Sequence, residues 1–304
     1  MTESKLTRGD GALLLTVLIG LIGIYSLSRW IDAHQPAADQ GIEEEKLYLN
    51  AATAKRMSLG FNGLAADWYW MRSLQYVGGK IMKLPDHVQL DSMGQLNLKL
   101  LAPLLDAATT LDPQFMEPYL FAAVVLPDVD VGEAIRITKK GIAANPLQWR
   151  LYHHLGFIYW QQKDFKTAGD AYEQGSKLPG APTWMRFMMG RMASDGGSRN
   201  TAREVYSRLY EEASDSHVKN MARKRLLLLD SMERQDALRK LMVAYRSKIG
   251  HCPGTWREMG TLLSAFRIQV DPSGAPLDPA GIPYLLVSDK CDVNLDEKSE
   301  VPWR

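Results

Sequence analysis

Three alanines, Ala134, Ala168 and Ala202, stand 34 residues apart, and that interval constrains the fold more than any other feature of the chain. Gly141 and Gly175 share it, as do Gly156 and Gly190, and Tyr172 and Tyr206. Small and aromatic residues returning at one interval mark a supersecondary unit that is copied along the chain, each copy packing on its neighbours. The unit is helical. From Glu43 to about Lys248 apolar residues recur at helical spacing, with almost no strand-like alternation. Breaks fall at Leu84-Pro85-Asp86, Leu111-Asp112-Pro113, Leu126-Pro127-Asp128, Asn145-Pro146, Leu178-Pro179-Gly180 and Asp195-Gly196-Gly197. The spacing predicts stacked helical hairpins.

The segment beginning at Trp149 carries the pattern best. Tyr152-x-x-Leu155-Gly156-x-x-Tyr159 resembles the first-helix signature W-x-x-L-G-x-x-Y of the tetratricopeptide repeat, with Tyr in place of Trp. Ala168-x-x-x-Tyr172 resembles its second-helix A-x-x-x-F, with Tyr in place of Phe. The repeat from Trp184 keeps Gly190, Ala202 and Tyr206, and the one from Phe115 keeps Ala134 and Gly141 but has Phe121-Ala122 where Leu-Gly is expected. The resemblance covers roughly residues 60–215. Gly156 and Ala168 are small enough to let the helices of a hairpin approach, and Tyr159 and Tyr172 are expected to fill the space between hairpins. The resemblance further implies a concave groove lined by the first helices, here presenting Met116, Tyr119, Arg150, His153, Phe157, Trp160, Trp184, Phe187 and Arg191 to a peptide or helix of a partner protein. Trp, Tyr and Arg are the types that most often dominate interfaces.

Outside the repeats, Gly11 to Leu27 is free of charge and bounded by Asp10 and Arg29. That run approaches the length of a membrane-crossing helix, with Tyr25 and Trp30 where interfacial aromatics sit. It is longer than a usual signal-peptide core, and no small-x-small cleavage site follows closely, so an uncleaved anchor through residues 11–28 is expected. Lys5 and Arg8 before the run outnumber Arg29 after it, which favours a bacterial inner-membrane protein with its C-terminal part in the periplasm. Cys252 and Cys291, confined to a turn-rich tail, fit a disulfide in an oxidising compartment, the alternative being two unrelated buried thiols.

The expected organisation is an anchor over 1–30, a linker over 31–42, an all-α tetratricopeptide-like solenoid over 43–248, and a small tail over 249–304 with one short helix and a hairpin starting at Tyr284–Val287. Residues 217–248 are expected to form a helical pair that caps the stack, since an open end exposes apolar surface. The aromatic stretch with Trp68, Tyr69, Trp70 and Tyr76 reads as the start of the solenoid, either core or a docking surface.

No chemistry is marked. The sequence has no P-loop, GxGxxG, GxSxG, HExxH or CxxCH, so no enzyme activity and no cofactor are expected. Adjacent His153 and His154 point about 100° apart on a helix and cannot clamp one metal from a single face. A formal charge of +1 gives no bulk attraction to nucleic acid, and the run Arg223-Lys224-Arg225 reads as a solvated face. The function expected is a membrane-anchored scaffold in an envelope complex. The alternative is a maturation factor or enzyme whose active residues no motif marks.

Overall fold

Helix ends fall where the sequence supplies caps and breakers. The computed structural model describes residues 8–34, 51–85 and 92–303, and in the first helix the side chains of residues 17–30. It divides into two units, Met1–Asn50 and Ala51–Arg304. In the first, α1 (Arg8–His34) is one helix whose residues 17–30 are exposed. Among the described residues no helix is long and apolar enough to cross a membrane. The apolar run begins at Gly11, and the side chains of residues 11–16 lie outside the described residues. The linker expected over 31–42 is helical as far as His34; its remainder, and Glu43-Glu44-Glu45, lie outside the described residues.

The second unit is mostly helical. After α2 (Ala51–Met57), helices pair as α3 (Asn62–Met82) with α4 (Leu101–Leu111), and α5 (Met116–Val125) with α6 (Val131–Ala144). The series continues with α7 (Trp149–Gln161) on α8 (Phe165–Ser176), and α9 (Trp184–Asp195) on α10 (Arg199–Glu212), each hairpin packing on the next. Side chains of Asp130 and Asp164 accept from the amides of Glu133 and Thr167 at 3.0 and 3.1 Å, satisfying the first turns of α6 and α8. The inter-hairpin turns are tied together, because Asn145 Nδ2 donates to the Pro113 carbonyl at 2.8 Å. On one flank Asp106 of α4 is held by Arg136 (2.9 Å) and Lys140 (3.0 Å) of α6. Those two cations keep its carboxyl below the usual carboxylate range against the opposing effect of burial.

The 34-residue register fixes how closely the helices approach. A Cβ on Gly156 would lie 2.8 Å from Cε2 of Tyr172 and 3.2 Å from the Ala168 carbonyl oxygen. One on Gly190 would lie 2.6 Å from Cε1 of Tyr206. Tyr172 is thus seated inside its own hairpin, as well as in a cluster with Met185 and Met192 of the next one. Tyr159, by contrast, looks toward the preceding hairpin, where Lys139 Nζ lies 5.6 Å from its ring centre. Leu151, Ile158, Ala168 and Ala202 are fully buried, Leu155 nearly so, and Tyr152 half-buried.

The expected helical pair over 217–248 is instead one helix, α11 (Ser216–Ile249). No glycine or proline interrupts that span, and Gly250, at φ 95°, ends it. The tail folds back on α11. Leu238, Leu241 and Met242 share a core with Trp256, Tyr284 and Val293, and Trp256 Nε1 donates to the Tyr284 carbonyl at 3.0 Å. Within the tail lie α12 (Gly260–Ala265) and a two-stranded antiparallel ladder of β1 (Leu285–Val287) and β2 (Asp292–Asn294). Cys252 and Cys291 are joined, their Cα atoms 5.4 Å apart. The ring of Trp70 meets Phe115 and Phe121, and Tyr69 is buried, so much of the aromatic stretch is core; Trp68 is half-exposed.

Replacing Gly156 by leucine must push α7 and α8 apart. Overpacking at a close backbone contact costs about 1–3 kcal/mol or more. We therefore expect Gly156→Leu to lower the thermal midpoint by several degrees in a melt followed by circular dichroism. A neutral Gly156→Leu would mean that the two helices do not meet there.

Candidate functional site

α7 is two-sided. Leu151, Leu155 and Ile158 point into the core, so Arg150, His153, Phe157 and Trp160, at helical spacing on the other side, make a second face. α9 follows the same rule, burying Met185 and Met192 and turning Trp184 and Arg191 outward. The two outward faces meet. Trp184 stands edge-on to Trp149 (6.1 Å between ring centres) and to His153 (4.8 Å). Phe157 stands edge-on to Trp160 at 5.5 Å, and the Arg191 guanidinium lies 4.8 Å from the Trp160 ring centre. Arg150 sits 4.8 Å from the ring centre of Trp149. The result is a ribbon of rings edged by cations, whose delocalised charge suits both aromatic faces and carboxylates.

Two residues expected in this groove are elsewhere. Tyr119 is wholly buried: its ring presses on Gly141 and its hydroxyl donates to the Thr109 carbonyl at 3.3 Å. Phe187 is only 8% exposed, packed beside Tyr206 with ring centres 6.1 Å apart. Both belong to the core because their own second helices carry small residues or a ring that they fill. Met116 is half-buried against the same core as Tyr119.

Beside α9 lies a cavity of about 460 Å³ lined by Arg191, Asp195, Tyr206, Arg225, Met232 and Trp303. Sequence reasoning found neither Arg225 nor Trp303. Arg223 and Lys224 are exposed, as a solvated face requires, but Arg225 is half-buried and turns toward this cavity. A second cavity, about 470 Å³, lies among α8, α9 and α10 and is lined by Phe165, Gly169, Met192 and a mixed set of charges.

His153 is the electrostatic oddity of the ribbon. Its Nδ1 and the Tyr172 hydroxyl are buried with no hydrogen-bond partner among the described residues, and the two ring centres are 5.9 Å apart. Burial, with the nearby His154 adding to it, pushes the His153 imidazole down to about 4, so it is neutral at pH 7. Burial likewise pushes Tyr172 up to about 12. His154 lies against His153 with 5.0 Å between ring centres, and among the described residues no cluster of three or more His, Cys, Asp or Glu could hold a metal ion. In the tail, Asp292 accepts from Arg239 Nε at 2.6 Å.

A depressed His153 makes stability pH-dependent in a definite direction. The unfolded chain takes up a proton near pH 6.5, before the folded chain does at about 4. Stability is complete above the higher value and is lost as pH falls toward the lower. The thermal midpoint should drop across that window, and His153→Phe should shrink the drop. Identical pH profiles for the two proteins would contradict the placement of His153.

No known protein family matches this chain, and no curated protein matches it.

Proposed function

We propose that this chain is a membrane-anchored adaptor of the tetratricopeptide type, whose groove receives a helix or an extended segment of a partner protein in an envelope complex. One observation carries the reading: the ring-and-arginine ribbon on α7 and α9 is built by contacts across two hairpins and stays open to solvent at Arg150, Trp184 and Arg191. Edge-on rings already fixed against one another lose little freedom when covered, and such residues make the usual interface hot spots. The hairpin succession and the ring-on-glycine contacts support the repeat type.

The anchor rests on the sequence, where the apolar run from Gly11 to Leu27 lies within the 27 residues of α1. The apolar run itself rises about 26 Å, close to the thickness of a hydrocarbon core. The disulfide between Cys252 and Cys291 suits an oxidising compartment, which in a bacterium means the periplasmic side of the inner membrane.

Arg150 and Arg191 are the cleanest probes, because both are exposed, whereas Trp160 also packs on the cluster around Tyr172. In the full chain carrying a photo-crosslinking residue at Phe157, Arg150→Ala and Arg191→Ala should leave the melting point nearly unchanged. Capture of the partner should fall, since a lost hot spot costs about 2 kcal/mol, roughly thirtyfold in affinity. If both changes spare capture, or if a crosslinker at Glu173 on α8 captures the same protein equally well, the groove is not the binding face.

A further inference from the structure

The end of the second unit that carries α2 and α3 is unlike the rest of its surface. Met57, Leu59, Phe61, Leu64, Trp68 and Met71 are all large, apolar and at least half exposed. On α3 the last three, with Phe61 just before its first residue, fall at helical spacing and form one stripe, opposite the side where Ala66, Tyr69, Ser73 and Val77 are buried. Leu59 is 85% exposed, and it sits in the left-handed region at φ 49°, followed by Gly60 at φ 94°. That conformation is costly for a leucine, and here it holds an apolar side chain out into water.

The charge of this segment says what could cover it. Between Ala51 and Lys83 lie Lys55, Arg56, Arg72, Lys80 and Lys83 against the single acid Asp67. The whole chain carries a formal charge of only +1, so the remainder is net acidic. Lys55, Arg56, Arg72 and Lys83 are exposed, and the Arg72 guanidinium lies 5.8 Å from the Trp68 ring centre. Two copies meeting through this same face would set cations against cations. An anionic lipid surface would not, and Trp, Phe and Leu beside Lys and Arg is the composition of helices that lie in a headgroup layer. The chain length allows it: the 16 residues between α1 and α2 reach at most about 60 Å, so a protein anchored through residues 11–27 has this face within reach of the bilayer.

We propose that the α2–α3 face lies on the anionic bilayer in which the chain is anchored, giving the membrane a second hold on the protein and fixing the orientation of the groove above it. The inference rests on the anchored reading of residues 11–27 and is separable from it.

The test uses the full chain reconstituted in vesicles of phosphatidylcholine, with or without phosphatidylglycerol, and a fluorophore on Met71→Cys or, as control, Gln174→Cys. Both native cysteines are in the disulfide and stay unlabelled. The label at position 71 should shift to the blue and be quenched by nitroxide-bearing lipid when phosphatidylglycerol is present. It should lose that quenching in an Arg56→Glu, Arg72→Glu variant, while the label at 174 answers only to aqueous iodide. Flotation of the chain after a carbonate wash reports the anchor separately. A chain that fails to float yet is quenched by lipid at 71 loses the anchor and keeps the face. A chain that floats with position 71 open to iodide keeps the anchor and overturns the face. Shielding of position 71 from both quenchers, with crosslinking between copies, makes the occupant a second copy and overturns the proposal as well.

Discussion

The three hairpins from α5 to α10 depend on aromatic rings seated on glycines. Tyr172 occupies the space a side chain at Gly156 would need, and Tyr206 does the same at Gly190. A second set joins neighbouring hairpins. Gly141 is gripped by Tyr119 and Leu151, and Gly175 by Tyr152 and Met185. Leu151 and Met185 are themselves 34 residues apart and fully buried. A glycine inside a helix is destabilising by roughly 0.5–1 kcal/mol relative to alanine, and at these positions the missing side chain is what admits the neighbouring ring. Each contact sets a helix separation, and the repeated interval makes successive separations alike.

The ribbon of rings and cations is the other side of the same constraint. Because α7 and α9 must each turn one face toward their glycines and partner rings, the opposite faces line up across hairpins. The edge-on contacts of Trp149, His153 and Trp184 and the stacking of Arg191 on Trp160 then follow from register. The Nδ1 of His153 and the hydroxyl of Tyr172, without a hydrogen-bond partner among the described residues, sit where these two systems touch.

The part of this arrangement that repeats was legible in the sequence, and the part that does not repeat was hidden. Gly156, Ala168, Tyr172, Gly190, Ala202 and Tyr206 stood out because their interval is fixed and their sizes are extreme. Tyr119 and Phe187 were misplaced by carrying one repeat's faces onto another. Their repeats turn these side chains inward, Tyr119 onto Gly141 and Phe187 beside Tyr206. Trp303 and Arg225 meet only because the tail folds back over α11, a contact with no periodic signature. The single helix over Ser216–Ile249 was readable from the lack of glycine and proline, whereas the helical pair expected as a cap needs a break that nothing in the residues enforces.

The ring-on-glycine contact can be isolated by a double-mutant cycle between positions 156 and 172, using Gly156→Ala, Tyr172→Leu and the pair, each measured by denaturant unfolding. Residues in contact show coupling of about 0.5–3 kcal/mol, whereas separate sites add to within about 0.5 kcal/mol. The account predicts coupling of about 1 kcal/mol or more, with the leucine relieving most of the damage done by the alanine. Additive effects at the two positions would contradict it, because the helix separation would then not be set by that ring on that glycine.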